Sequence, residues 1–385
     1  MINTRNPSLG ATLPDLFKQL TCLRSLNLSS SSIQELPCEV VKLIHLRYLD
    51  LAYCEELKSL PETICNLCNL QSLNVSCCSL KELPQAIGKI TKLRHLEIEG
   101  SEVAFIPKGI KRLSSLRTLD CFTVCGGGEN ESKAANLGEL KNLNHLRGTL
   151  SIEKLGNIVD LGEAEKAELK NKKHLHRLGL WFDGERTESQ GNEDALIEAL
   201  QPPSDLEILN IVYYNGIFLP NWMTSLTRLT ELQLQNCGNL EVLPPLGRLP
   251  NLENLHLRFL NLRSLDVGFL GLENVDNEGE IARVTAFPKL KKLVIRSLKE
   301  LEDWDGIESR VGEKDATTST IMPQLQYLQV SSCPTLRALP NYVLTTSLQT
   351  LKIEYCPILR NRYKKEEMGD EWHKTSHIPN IYIYG

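Results

Sequence analysis

One apolar skeleton recurs along this chain. Leu-x-x-Leu-x-Leu, with Ile, Val or Cys sometimes in the last place, begins at Leu23 and again at Leu46, Leu70, Leu93 and Leu116, a spacing of 23 or 24 residues. The pattern resumes at Leu175, Leu206, Leu229, Leu252, Leu290, Leu325 and Leu348. Leu146 opens a variant in which RGTLSI spaces the apolar residues differently, which brings the total to about thirteen units. A fixed period of this length constrains the fold more than any other property of the sequence. One unit cannot bury its own leucines, whereas stacked units can, each buried Leu contributing roughly 1.5–3 kcal/mol. A 385-residue chain without such a period would divide into separate domains, because compact cores stop growing near ~250–300 residues.

Each unit has two halves with different periods. In LNLSS and LDLAY the alternation is two, so Leu26 and Leu28, or Leu49 and Leu51, point inward from a short strand while Asn27 and Asp50 point out. The second half steps by three or four. Ile33, Leu36, Val40 and Leu43 line one side of a short helical or turn-like return, and Leu80, Leu83, Ile87 and Ile90 repeat it. Pro37, Pro61, Pro84, Pro107, Pro220, Pro244 and Pro340 end strand pairing and turn the chain to its outer side. The expected architecture is an α/β repeat, a right-handed leucine-rich-repeat solenoid or horseshoe. Its strands, ~4.8 Å apart, form a parallel concave β-sheet, and its convex side is short helical or irregular.

Cysteine takes the ninth position of several units, at Cys54, Cys78, Cys237, Cys333 and Cys356, where a small side chain sits buried beside the backbone as the chain turns. The opening MINTRNPSLGATLPDLF has no basic segment followed by a long apolar run, and no stretch is apolar for long enough to span a membrane. A cytoplasmic or nuclear location is therefore expected, with the twelve cysteines as free thiols. The CxxC at Cys65 to Cys68 has no second pair at zinc-finger spacing and reads as convex-side structure. His373 and His377 lack the Glu that a helical zinc-protease motif needs, and Gly88-Lys89-Ile90-Thr91 has Leu83 where the first phosphate-loop glycine would stand. No catalytic group, metal or cofactor is expected. A net charge of −5 and a pI near 6.0 lack the basic field that nucleic-acid binding requires.

Five segments are expected: a partial N-terminal repeat over 1–22, regular repeats over 23–121, an irregular insertion over 122–145, irregular repeats over 146–360 and a C-terminal cap over 361–385. Leu13, Leu16 and Leu20 spell the second half of a unit whose strand is missing, so the chain is expected to begin mid-repeat. CGGGENESKAA, from Cys125 to Ala135, reads as a loop. Residues 160–173 have acids early and lysines late and read as an exposed helix. Residues 183–194, 271–283 and 305–320 read as insertions. Alternating Ile381 and Ile383 suit a strand that closes the last sheet edge.

The regular units, with LP before an apolar return, resemble the leucine-rich-repeat region of plant intracellular immune receptors of the coiled-coil, nucleotide-binding class. NHLRGTLSIEKLGNI, GEAEKAELKNKKHLHRLGLWF, ALQPPSDLEILNIVYYNG followed by LPNW, LPPLGRLPNLENL, FPKLKKLVI and the ending GDEWHKTSHIPNIYI carry the same resemblance over nearly the whole chain. It implies a place in plant defence. The coiled coil and the ATP/ADP-switching domain of that family do not fit before Leu23, so this chain is not expected to bind nucleotide.

The residues between the inward leucines form the wall that a partner would meet. Tyr48, Asp50, Glu97, Glu99 and Asp120 make its early part polar to acidic. Arg177, Trp181, Gln233, His256, Arg258, Lys292, Arg296 and Tyr327 make its later part more basic, with Trp181 and Tyr327 of the types that anchor interfaces. Such a gradient suits the orientation of a protein ligand. Trp222 and Trp304 are assigned to packing. The expected function is protein recognition in plant defence, with a pathogen effector, a guarded host protein or a nucleotide-binding domain in cis or trans as partner. A constitutive intracellular repeat scaffold, a ubiquitin-ligase adaptor and a receptor fragment without independent function are the alternatives.

Overall fold

The computed structural model describes residues 9–183, 193–272, 285–304, 320–364 and 371–385. The insertions read from the sequence lie almost wholly outside these residues. The chain divides into two compact units, Met1–Gly191 with Ala199–Pro203, and Asn192–Glu198 with Ser204–Gly385.

The first unit begins with an α-helix, Leu9–Gln19. Its inward residues are Leu13 and Phe17, whereas Leu20 is exposed, so a helical step of four replaces the Leu13, Leu16, Leu20 spacing. Five parallel strands follow in order: β1 (Ser25–Asn27), β2 (Tyr48–Asp50), β3 (Ser72–Asn74), β4 (His95–Glu97) and β5 (Thr118–Leu119). Leu26, Leu49, Leu73, Leu96 and Leu119 lie in register and are buried. Between strands the chain returns through 3-10 helices, Cys38–Lys42, Glu62–Asn66, Ile87–Lys89 and Ile110–Arg112. Pro37 and Pro61 enter the first two with φ −61° and −69°, as the proline ring requires. Pro107 does not end pairing: Ala135 N donates to Ile106 O and Lys108 N to Lys133 O on either side of it. Gly88, of the Gly-Lys pair, is a packing glycine, because a Cβ there would collide with the Gly109 carbonyl of the next repeat.

The fifth position of the repeat explains why these strands are short. Asn27, Asp50 and Asn74 accept, through a side-chain oxygen, the backbone N–H two residues on, at Ser29, Ala52 and Ser76, over 2.8–3.0 Å. An N–H taken by an Asx turn no longer serves the sheet. A sixth-position carbonyl of the preceding repeat is thereby left open, and a ninth-position side chain fills it: Cys54 Sγ to Leu28 O at 3.2 Å, and Cys78 Sγ to Leu51 O at 3.1 Å. Ser101 Oγ does the same to Val75 O. The eighth residue links strand and ninth position in the left-handed conformation, at Ser30, Tyr53, Cys77 and Gly100, with φ between 55° and 73°.

Asp120 interrupts this regular stack. Its carboxylate accepts from Ile98 N at 2.9 Å and Glu99 N at 3.2 Å, and pairing resumes with β6 (Cys121–Thr123), β7 (Arg147–Glu153) and β8 (His174–Trp181). The RGTLSI variant is absorbed by a register shift at Gly148/Thr149, where Gly148 has φ 76°. Ala134 and Ala135, at the end of the glycine-rich loop, are buried, and a 3-10 helix at Leu137–Asn142 buries Leu137 and Leu140. The helix expected over 160–173 is shorter and less exposed than its composition implied. It spans Leu161–Lys166, with Asp160 accepting from Gly162 N at 2.8 Å, and a 3-10 turn follows at Leu169–Asn171. Lys172 is fully buried, its Nζ donating to Leu140 O at 2.8 Å, and burial pulls its pKa down to about 8.

Among its described residues the second unit stacks seven parallel strands in order: β9 (Ile208–Val212), β10 (Glu231–Gln235), β11 (Asn254–Arg258), β13 (Lys292–Arg296), β15 (Tyr327–Ser331), β16 (Thr350–Glu354) and β17 (Asn380–Tyr384), with the short pair β12 (Thr285–Ala286) and β14 (Thr320–Ile321) outside the main sheet. The Ile381 and Ile383 strand extends the sheet beside β16. The left-handed eighth residues here are Tyr213, Asn236, Phe259, Ser297, Ser332 and Tyr355. Trp222 and Trp304 are buried, and Trp222 Nε1 donates to Ile197 O at 3.1 Å. Tyr214 replaces Cys at the ninth position; its one hydroxyl proton is shared between Asp194 Oδ1, at 2.6 Å, and Phe218 O, and burial pushes its pKa up.

Candidate partner-binding face

Strand alternation places the third, fifth and seventh positions on the open side of the sheet in both units. In the first unit Tyr48, Glu99 and Arg177 are exposed there, while Asp50, Glu97 and Trp181 are partly covered. Asp50 is already engaged, accepting from Ala52 N and, at 3.2 Å, from Asn27 Nδ2. The Trp181 indole folds over Gly179, its nitrogen 3.0 Å from where a Cβ would lie. Asp120 departs from the expected exposed position. It is 9% exposed and holds the backbone of the neighbouring repeat, at the point where β5 ends one sheet and β6 begins the next; Phe122, next outward in the pattern, is fully buried with it.

The first unit's face is acidic and partly desolvated. Burial, then the charges of Asp120 and Asp50, raise the pKa of Glu97. Burial also raises Asp120, against the lowering effect of the Ile98 and Glu99 N–H groups, and it raises Glu153. Glu97 and Glu99 share a shallow depression with Asn74, Arg147 and His176.

In the second unit Gln233, His256, Arg258, Lys292 and Tyr327 are half-buried and Arg296 is exposed, all on one open sheet face. Arg258 donates to His256 Nδ1 at 3.1 Å. Burial, with Lys292 and Arg258 nearby, lowers His256 to about 4, so the imidazole is neutral and able to accept that bond. Gln233 donates to Gln235 at 2.9 Å. The Tyr327 hydroxyl donates to Gln329, which donates onward to Glu354 at 3.0 Å. Lys292 and Lys352 hold their ammonium groups 5.6 and 5.8 Å from the Tyr327 ring centre.

Among the described residues no cluster of three or more His, Cys, Asp and Glu is placed to hold a metal, and no helix is long and apolar enough to cross a membrane. In the CxxC stretch Cys65 is buried, with its thiol pushed up to about 12, and Cys68 is exposed.

Residues 137–260 match the R13L1/DRL21 leucine-rich repeats, residues 205–360 match the leucine-rich repeats of the plant disease resistance protein RPS2-like family, and residues 45–67 and 69–90 match the general Leucine Rich Repeat. The disease resistance protein RGA1 of Solanum bulbocastanum is 36% identical over 345 residues, covering 88% of this chain and 32% of that protein. The disease resistance RPP13-like protein 1 of Arabidopsis thaliana is 34% identical over 364 residues, covering 89% of this chain and 32% of that protein. These are leucine-rich repeats of the plant disease-resistance type. The chain spans about a third of the length of these two relatives. A leucine-rich-repeat protein of Leptospira interrogans matches in fold, with a TM-score of 0.52 at 21% identity over 95% of this chain and 85% of that one, in accord with the expected solenoid.

The repeat register also exposes residues that the sequence reading passed over. Tyr53, Tyr213, Phe259 and Tyr355 stand at the left-handed eighth position of their leucine-rich repeats and are 40–70% exposed. The alternation rule covers only the strand, and the eighth residue lies just beyond it. Tyr382, on β17, is another such residue, and with Lys352, read from the sequence as an outward position on β16, it completes a basic and aromatic row with Lys292 and Tyr327. Pairing of consecutive repeats in one register was the available signal for that row.

Proposed function

We propose that this chain is a protein-recognition region of a plant defence protein, with no chemistry of its own, that binds a pathogen effector, a guarded host protein or a nucleotide-binding domain through its open sheet faces. The observation that carries this reading is the contrast between core and face. The inward leucines repeat with little change, whereas the outward positions hold a different polar, charged or aromatic residue in each repeat, as a surface shaped for a partner would. Relatives named for disease resistance support the defence setting. The test is capture from plant tissue after crosslinking, comparing the wild-type chain with Trp181→Ala/Arg258→Glu. The double variant should retain its melting temperature and lose a defined subset of captured proteins. Identical capture by a folded double variant would remove these faces from the reading.

A further inference from the structure

The open face of the second unit carries more positive charge than it neutralises. Arg258, Lys292, Arg296 and Lys352 lie on β11, β13 and β16, and among the described residues none of the four is in an ion pair. Of the carboxylates on this face, Glu354 is engaged by Gln329 at 3.0 Å and Ser331 at 2.8 Å, and Glu231 stands at the start of β10. The two lysines are held in place. Tyr327 receives Lys292 from the strand on one side and Lys352 from the strand on the other, and Lys352 also lies 5.6 Å from the Tyr382 ring centre. An ammonium parked against a ring loses less side-chain freedom when a ligand arrives.

We propose that the row Lys292, Tyr327, Lys352 and Tyr382, flanked by Arg258 and Arg296, binds an acidic segment of a partner protein, whose carboxylates accept from the unpaired cations. This rests on the reading of the chain as a protein-recognition region and names the chemistry of the partner. Two observations favour an acidic polypeptide over nucleic acid. Tyr327 already carries an ammonium from each neighbouring strand, and a base would have to displace these to stack on the ring. The chain as a whole has a charge of −5, so an extended polyanion is repelled beyond the row, whereas a short acidic segment fits within it.

The test is fluorescence anisotropy on the full chain with a labelled peptide of about twelve residues alternating Glu and Ser, and an oligouridylate of matched charge as the second probe, at about 50 mM salt. The peptide should bind saturably and more weakly as salt rises. Lys292→Gln/Lys352→Gln should weaken it roughly tenfold or more, and Tyr327→Leu, which frees the ammonium groups, roughly threefold. Lys291→Gln, whose Nζ pairs with Glu253 at 2.9 Å, should leave it unchanged. Absent peptide binding, equal binding by the folded double variant, or tighter binding of oligouridylate would overturn the proposal. If the peptide fails while Trp181→Ala/Arg258→Glu still loses its tissue partners, this inference falls and the broader reading stands. If the peptide binds through Lys292 and Lys352 while those partners are retained, the row stands and the broader reading falls.

Discussion

In the first unit β1 to β4 are three residues long and end where an Asn or Asp at the fifth position bonds the backbone two residues on, or where Asp120 does so from the next repeat. In the second unit β9 to β11, β13, β15 and β16 run for five residues, with Gln233, His256, Val294, Gln329 or Lys352 in that place; Asn210 is the exception, and its Oδ1 makes no such bond. The thiols follow the same division. Cys54 and Cys78 reach the open carbonyl of the preceding repeat at 3.2 and 3.1 Å, whereas Cys237 and Cys356 sit 3.9 and 3.7 Å from theirs and nearer a carbonyl of their own strand, at 3.4 and 3.3 Å. A polar residue on the open face therefore has two possible employers. In β1 to β3 the backbone claims it, and in the second unit it bonds neighbouring side chains instead, as Gln233 and Gln329 do.

The severest way to break this comparison is a charge in each core. Leu49→Asp and Leu293→Asp, at residues 1% and 0% exposed, should each remove about 3–5 kcal/mol. Peptide-resolved hydrogen exchange should show protection lost around the substituted repeat and kept in the other unit; loss in both alike would mean that the units are not separate in stability. Next, Asp120→Ala leaves the Ile98 and Glu99 N–H groups without their acceptor and should lower stability to urea by about 2 kcal/mol, whereas Gln233→Ala on the second face should change it by less than about 0.5 kcal/mol. Cys78→Val, which orphans Leu51 O, should be roughly 1 kcal/mol more damaging than Cys237→Val, and Cys78→Ser should be nearly neutral because Ser101 already fills that role one repeat on.

A test of a different kind is pH dependence. Lys172 has a folded pKa of about 8, below the ordinary 10.5, so between these values the unfolded chain binds more protons than the folded one. Stability of the first unit should rise with pH across that window, and Lys172→Met should flatten the slope. A slope that survives the substitution would assign it to another group.

The period and the inward leucines were legible because a 23-residue return and a two-residue alternation depend on one chain at a time. Asp120 was not. Its place on the outward pattern is ordinary, and only the neighbouring backbone reveals that the carboxylate is occupied. Asn27, Asp50 and Asn74 were legible as outward residues but not as strand terminators, although Asx chemistry was available as a hint. Lys172 looked like one lysine among several in an exposed helix, and its burial follows from a carbonyl 32 residues earlier in the chain. The basic and aromatic row in the second unit was half visible: Lys292 and Tyr327 stood out as single residues, and their contact emerges only when β13 and β15 are laid side by side.

The left-handed eighth residue gives these repeats room to diversify. Its demand falls on the main chain, and the side chains that meet it range from Gly100 through Ser30 and Asn236 to Tyr355. A bulky residue there strains the backbone by roughly 1 kcal/mol but displaces nothing in the core. Substitution at this hinge can therefore redraw the rim of the sheet one repeat at a time, while the leucines beneath continue to hold the same register.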